Sequence, residues 1–210
     1  MKFVALVSSG IDSPVATYML ARKGDDIILV HADNTPYTDN RDREKFTRIT
    51  HHLKKLVSGS LQAYIVPHGQ TLAVMKKNCK AKFTCILCKR MLLRYAEKIA
   101  KREHADALIM GDSLGQVASQ TLHNIHVVEQ AVQMPVLRPL IGFDKEDITR
   151  IAKKIGTYEL SILPAQGCTA VPKKPSTQAR LDDVITEETK INVADLVEQA
   201  IKNAELLFSE

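Results

Sequence analysis

Apolar runs long enough to cross a bilayer are absent from this chain of 210 residues. A spanning helix needs about 20 consecutive apolar residues, and no stretch approaches that. The start, Met1-Lys2-Phe3-Val4, is too short and too soon patterned as a strand to act as a secretory signal. Internal repeats and low-complexity tracts are missing too, which excludes solenoid and fibrous classes. These absences point to a cytoplasmic protein with no membrane partner. Cysteine is scarce: Cys79, Cys85, Cys88 and Cys168 are the full set. In a cytosolic chain such thiols are metal ligands or reactive groups sooner than structural disulfides.

What remains is ordinary globular composition, 45% hydrophobic and 25% charged, in a length that suits one large domain. The net charge of +5 permits an anionic partner such as nucleic acid. Short basic clusters at Lys76-Lys77, Lys80-Lys82, Lys89-Arg90 and Lys173-Lys174 each read first as solvated helix ends or loops.

Buried strands are expected at Phe3–Val7, Ile27–Ala32, Leu61–Val66, Ala107–Met110 and Val136–Leu137, each a short apolar run. Helical patterns lie between them, including residues 42–56, 85–102, 115–124 and 144–155, with a last amphipathic helix capped by Asn192. Alternating strands and helices imply an α/β fold, a doubly wound and mainly parallel five-stranded sheet of Rossmann type. Residues 1–176 are expected to form the nucleotide-binding unit. Residues 177–210 add a linker and a helix packed on it, and residues 164–190 are expected to be a long loop. Ligands of such sheets lie beyond the carboxyl ends of the strands, where Ser8, His31, Gly111 and Arg138 fall.

The loop Ser8-Ser9-Gly10-Ile11-Asp12-Ser13 joins the first strand to the first helix. Free backbone N–H groups and the helix dipole make such a junction an anion site. No Gly-Lys-Ser/Thr follows the glycine, so this is not a Walker A loop, and it is not G-x-G-x-x-G either. Asp12 cannot bind phosphate, but it can hold Mg²⁺ or cap the helix. A Ser-rich helix cap is the plain alternative for the whole hexapeptide.

The hexapeptide resembles the S-G-G-x-D-S signature of PP-loop ATP pyrophosphatases (adenine nucleotide alpha hydrolase-like), with Ser9 at a glycine position. Three further segments narrow the resemblance. Pro14-Val15-Ala16 follows the loop. Gly111-Asp112-Ser113-Leu114-Gly115-Gln116-Val117-Ala118-Ser119-Gln120-Thr121 is similar to G-E-A-L-G-Q-V-A-S-Q-T. Arg138-Pro139-Leu140-Ile141-Gly142-Phe143-Asp144-Lys145-Glu146, then Ile155-Gly156-Thr157, matches R-P-L-I-G-x-D-K-E … I-G-T. With Lys89-Arg90-Met91-Leu92, these resemble the catalytic domain of tRNA 4-thiouridine synthetases, a family of tRNA sulfurtransferases, from about Phe3 to Ser176.

The resemblance implies an enzyme that splits ATP to AMP and pyrophosphate and thiolates uridine in tRNA. It implies ATP contacts at Leu6, Val7, Ser8, Ser9, Gly10, Asp12, Ser13, His31, Ala32, Lys89, Gly111 and Gln120. Cys168, in Pro164-Ala165-Gln166-Gly167-Cys168, takes the place of the family's catalytic cysteine, with Asp12 as the second catalytic residue. The Cys85-x-x-Cys88 pair resembles the archaeal-type branch, where it is expected to join Cys168 in holding an iron–sulfur cluster. Zn²⁺ is the rival occupant, bare thiols the third, and Cys79 is expected to stand apart. The first strand begins at Phe3, so the family's N-terminal RNA-binding region is expected to be lacking and to come from a separate subunit. The sulfur donor would be sulfide or a persulfide carrier, and a homodimer is possible. Competing readings are a PP-loop enzyme with another substrate, such as an amide ligase or a small-molecule thiolating enzyme, and a non-catalytic nucleotide-binding subunit.

Overall fold

The computed structural model describes residues 1–21 and 24–209. Its elements run β1 (Lys2–Leu6), α1 (Asp12–Ala21), β2 (Asp26–Asp33), α2 (Asn40–Lys54), β3 (Leu61–Pro67), α3 (Gly69–Asn78), α4 (Thr84–Arg102) and β4 (Ala107–Ile109). Then follow α5 (Leu122–Glu129), β5 (Val136–Leu137), α6 (Lys145–Lys154), α7 (Tyr158–Ser161), α8 (Leu181–Glu188), α9 (Val193–Lys202) and β6 (Glu205–Ser209). The sheet order is β5-β4-β1-β2-β3-β6. All neighbours are parallel except β6, which runs antiparallel to β3.

Both faces of the sheet are covered, which is why its strands read as continuous apolar runs. Phe3, Ala5, Ile27, Leu29, Ala63 and Ile65 pack toward Phe46, Ile49 and Leu53 of α2 and Ile148 and Ala152 of α6. Val4, Leu6, Ile28, Val30 and Leu108 alternate with them and pack toward Met91, Tyr95 and Ile99 of α4 and Leu196 and Ala200 of α9. Strands β2 and β3 follow β1 on one side, while β4 and β5 lie on the other. That reversal opens a crevice at the carboxyl end of β1, the usual ligand position in such sheets.

The five expected strands are present, and β6 extends the sheet by a sixth. Its segment, Glu205-Leu206-Leu207-Phe208, directly follows the last helix, in the stretch 177–210 expected to hold only a linker and a helix. The helix expected at residues 115–124 begins later. Gly115 has φ 75°, Ala118–Gln120 is a single 3-10 turn, and Thr121 caps α5 by accepting from the N–H of Asn124. Part of the expected loop at residues 164–190 is helical: Leu181–Glu188 forms α8. Asp144 and Asn192 cap α6 and α9 as their side-chain chemistry predicts. Among the described residues no helix is long and apolar enough to cross a membrane.

Candidate functional site

A cleft of about 480 Å³ lies at the carboxyl ends of β1, β2 and β4. Its floor is the turn from β1 into α1. The N–H of Ser8 donates to Ser13 Oγ at 2.9 Å, the two hydroxyl oxygens are 3.1 Å apart, and Ser13 Oγ donates back to the Ser8 carbonyl at 3.3 Å. These bonds tie the loop to the first turn of α1. Ser161 of α7 secures its middle by donating to the Gly10 carbonyl at 3.2 Å.

All twelve residues expected to meet a nucleotide line this one cleft: Leu6, Val7, Ser8, Ser9, Gly10, Asp12 and Ser13 from β1 and its loop, His31 and Ala32 from β2, Lys89 from α4, Gly111 after β4, and Gln120. Cys168 lines it too, on the segment Ala165–Cys168 that passes over the cleft. Gly111 has a packing reason of its own. A Cβ there would stand 2.6 Å from Ser13 Cα, so the glycine lets β4 approach the start of α1. The carboxylate of Asp12 is not free, since Lys145 of α6 donates to it.

Two charged clusters at the cleft join residues singled out from sequence to carboxylates that had been given no role. The first centres on Asp112, 4% exposed. Its Oδ1 accepts from Lys89 Nζ at 2.7 Å and its Oδ2 from Arg138 Nε at 3.2 Å. Arg138 also donates to Glu129 at 2.6 Å. Burial by itself would raise the pKa of Asp112, but the Lys89 and Arg138 cations together outweigh it and hold the carboxyl below its usual value. Nearby, Gln120 Oε1 and Arg138 Nη2 are buried with no hydrogen-bond partner among the described residues.

The second group lies on α2. Asp42 accepts from Ser9 Oγ and stands 3.3 Å from His31 Nε2. The His31 ring stacks on Phe46 at 4.4 Å, and its Nδ1 lies 2.9 Å from the Val7 carbonyl. Burial pushes the Asp42 pKa up, yet the nearby His31, the Ser9 hydroxyl and the charge of Lys45 bring it below its usual value. A signal for this group exists in the sequence. Asp42 and Lys45 sit four residues before Phe46 and Ile49, so they continue the buried stripe of α2 toward the cleft as charges.

All four cysteines are free thiols of intermediate exposure. Cys85 and Cys88 are the second and fifth residues of α4, directly before Lys89 of the cleft lining. Burial, then Cys168, raises the Cys85 pKa. Burial, then Cys85 and Cys168, pushes Cys88 up to about 12. Both are therefore neutral thiols at pH 7 in this arrangement. Cys79 lies elsewhere, its Sγ 3.4 Å from the Glu187 carbonyl. Among the described residues no group of three or more His, Cys, Asp or Glu side chains is placed to hold a metal ion.

Sequence reading also passed over His68, which is fully buried after β3. Its Nε2 lies 3.3 Å from Cys88 Sγ, its Nδ1 lies 3.1 Å from Tyr95 Oη, and Tyr95 Oη lies 2.9 Å from Thr71 Oγ1. Burial lowers the His68 pKa to about 3. With a neutral imidazole and a neutral thiol, Cys88 donates to Nε2 and Nδ1–H donates to Tyr95. No sequence pattern links residues 68 and 88, because the contact exists only in space.

Residues 1–193 match the family described as thiamine biosynthesis protein (ThiI). A probable tRNA sulfurtransferase from Methanosarcina mazei is 42% identical over 207 residues, covering 98% of this chain and 51% of that protein. Another from Thermus thermophilus is 43% identical over 208 residues, covering 98% and 51%. Among solved structures, a 4-thiouridine synthetase–RNA complex with bound ATP superposes with a TM-score of 0.95 at 36% identity, covering all of this chain and 55% of that one. The chain thus spans about half the length of the curated relatives it matches. A sheet with its cleft at the strand reversal, a serine-tied loop on its floor and a match running through residue 193 lead to one assignment: this chain belongs to the ThiI family.

Proposed function

We propose that the cleft binds ATP and that the chain performs the adenylation and sulfur transfer that convert uridine in tRNA to 4-thiouridine. The observation that carries this reading is the gathering of the serine loop, His31, Lys89, Gln120 and Cys168 around one cleft. The unpartnered Gln120 Oε1 supports it as an acceptor waiting for a ligand donor. The likeness to a synthetase solved with ATP and RNA supports it further.

In the proposed reaction the uracil O4 attacks the α-phosphorus of ATP, and the bridging oxygen leaves with its electron pair as pyrophosphate. A sulfur nucleophile then attacks C4, and AMP departs. The loop N–H groups and Lys89 would hold phosphoryl oxygens. Asp12 would take Mg²⁺ only by releasing Lys145. With sulfide as the donor, HS⁻ is itself the nucleophile at C4 and no change of oxidation state is needed; Cys168 would line the mouth of the cleft where that attack takes place.

An iron–sulfur cluster on Cys85, Cys88 and Cys168, with Zn²⁺ as the rival, is the finer proposal. It requires the Cys168 segment to close on the first turn of α4, so no step of the reaction is routed through it here. RNA recognition supplied from outside these residues, sulfide or a persulfide carrier as donor, and a homodimer complete the reading.

The test is anaerobic incubation with ATP, Mg²⁺, sulfide and unmodified tRNA, with and without an RNA-binding partner, followed by mass analysis of the nucleosides. The expected product is 4-thiouridine. A thiolated small molecule, or an amide, with tRNA unchanged would favour a PP-loop enzyme of another kind.

A further inference from the structure

A lysine can bury its aliphatic stem against the protein while its ammonium group stays in water, open to an anion. Lys45, in the second turn of α2, is only 8% exposed and lines the cleft. Among the described residues nothing hydrogen-bonds to its Nζ, and Asp42, three residues earlier, acts on it through charge alone. Asp42 is already engaged by Ser9 and His31. Of the two lysines that line the cleft, Lys89 is held by Asp112 at 2.7 Å, whereas Lys45 has no carboxylate in contact. Lys145, nearby, is held by Asp12. Among the described residues Lys45 is therefore the uncommitted cation of the cleft, one turn along α2 from Asp42, which fastens the helix to the serine loop.

We infer that Lys45 binds the phosphoryl oxygens of the nucleotide seated on the Ser8–Ser13 loop, as the side-chain cation facing the loop's backbone N–H groups. The inference rests on the cleft being an ATP site. It adds to that reading a phosphate-binding residue supplied by α2. A phosphate chain suits this position better than a base or ribose, because the loop offers donors without charge and the phosphates bring charge without a free counter-ion.

Equilibrium binding of pyrophosphate, ATP and adenosine to the whole chain tests it. Lys45→Met should weaken pyrophosphate and ATP binding about tenfold or more, the scale of one lost charged hydrogen bond, while adenosine binding stays within about twofold. Lys45→Arg should recover most of the loss. The inference is overturned if pyrophosphate binding is unchanged. It is also overturned if adenosine suffers equally and Asp42→Asn in the Lys45→Met background restores both, since Lys45 would then serve only as counter-ion to Asp42. Should Lys45→Met not fold, acetylation of wild-type protein read by mass spectrometry decides: pyrophosphate should shield the Lys45 amine and adenosine should not. Pyrophosphate that binds without shielding Lys45 overturns the inference. Wild-type protein that binds neither ATP nor pyrophosphate would overturn the ATP reading with it, whereas ATP binding indifferent to Lys45 removes the inference alone.

Discussion

At the scale of single residues, the cleft depends on a few groups whose burial makes them intolerant of change. Asp112 is one. Asp112→Asn removes the charge that satisfies Lys89 and Arg138, and breaking a buried pair on one side costs about 3 kcal/mol or more. Chemical denaturation should report that loss. A change under about 0.5 kcal/mol would show that the network adds nothing beyond what an exposed pair contributes. The same carboxylate has a pH signature. Its folded pKa lies below the ordinary 3.8, so its stabilisation is fully present above that value and is lost as pH falls through the lower, folded value. In the variant, the acid limb of the stability curve below about pH 4 should flatten.

Gly111 is a second such residue. Gly111→Ala places a methyl 2.6 Å from Ser13 Cα, backbone that cannot swing away as a side chain could. The expected cost is about 2 kcal/mol, the range for overpacking, with ligand binding on the loop weakened in parallel. Unchanged melting temperature and unchanged nucleotide affinity would contradict that account.

At the scale of elements, α8 lies in a segment expected to be loop and is tied to α4 by charge. Glu188 at its end accepts from Arg90 Nε and Nη2, each at 2.9 Å, and from Arg94 Nη2 at 2.9 Å. Arg90 also donates to the Val127 carbonyl, which brings in α5. Glu188→Ala leaves two guanidinium groups of α4 without their shared carboxylate. Hydrogen exchange in residues 181–188 should then rise to the rate of the preceding coil, while the centre of α4 stays protected. Persistent protection of α8 would mean that Val184, fully buried, holds it without the charges.

The elements also show what was legible and why. The parallel strands were readable because two covered faces leave no polar alternation. Helices α6 and α9 were readable because Asp144 and Asn192 are cap residues ahead of a clear apolar stripe. The start of α5 is later than expected because residues 111–121 form turns and a single 3-10 turn held by tertiary bonds, such as Ser113 Oγ donating to the Phe143 carbonyl at 2.7 Å, which no local pattern reveals. Strand β6 is not legible locally because its pairing with β3 joins residues as far apart in sequence as Gln62 and Ser209. Of the cleft, the loop, Lys89, Gly111 and Gln120 were reached through motifs. Lys45 and His68 stand outside those motifs and emerge only from burial and contact.

At the scale of the whole molecule, the sheet reversal gathers the ends of β1, β2 and β4, and α2 and α4 close the sides of the opening with charge. The net charge of +5 is modest, so binding of these 210 residues alone to bare tRNA is expected to be weak and to fall steeply between low and physiological salt. Tight binding that persists in high salt would show a dedicated recognition surface on this part. The central claim, that the cleft activates a substrate by cleaving ATP between its α and β phosphates, is tested most directly by resolving the nucleotide products after anaerobic incubation with Mg²⁺, sulfide and tRNA. The account predicts AMP and pyrophosphate in equal amounts, formed by wild-type protein and lost on Asp12→Asn. ADP and orthophosphate as the main products, formed equally by both proteins, would contradict it.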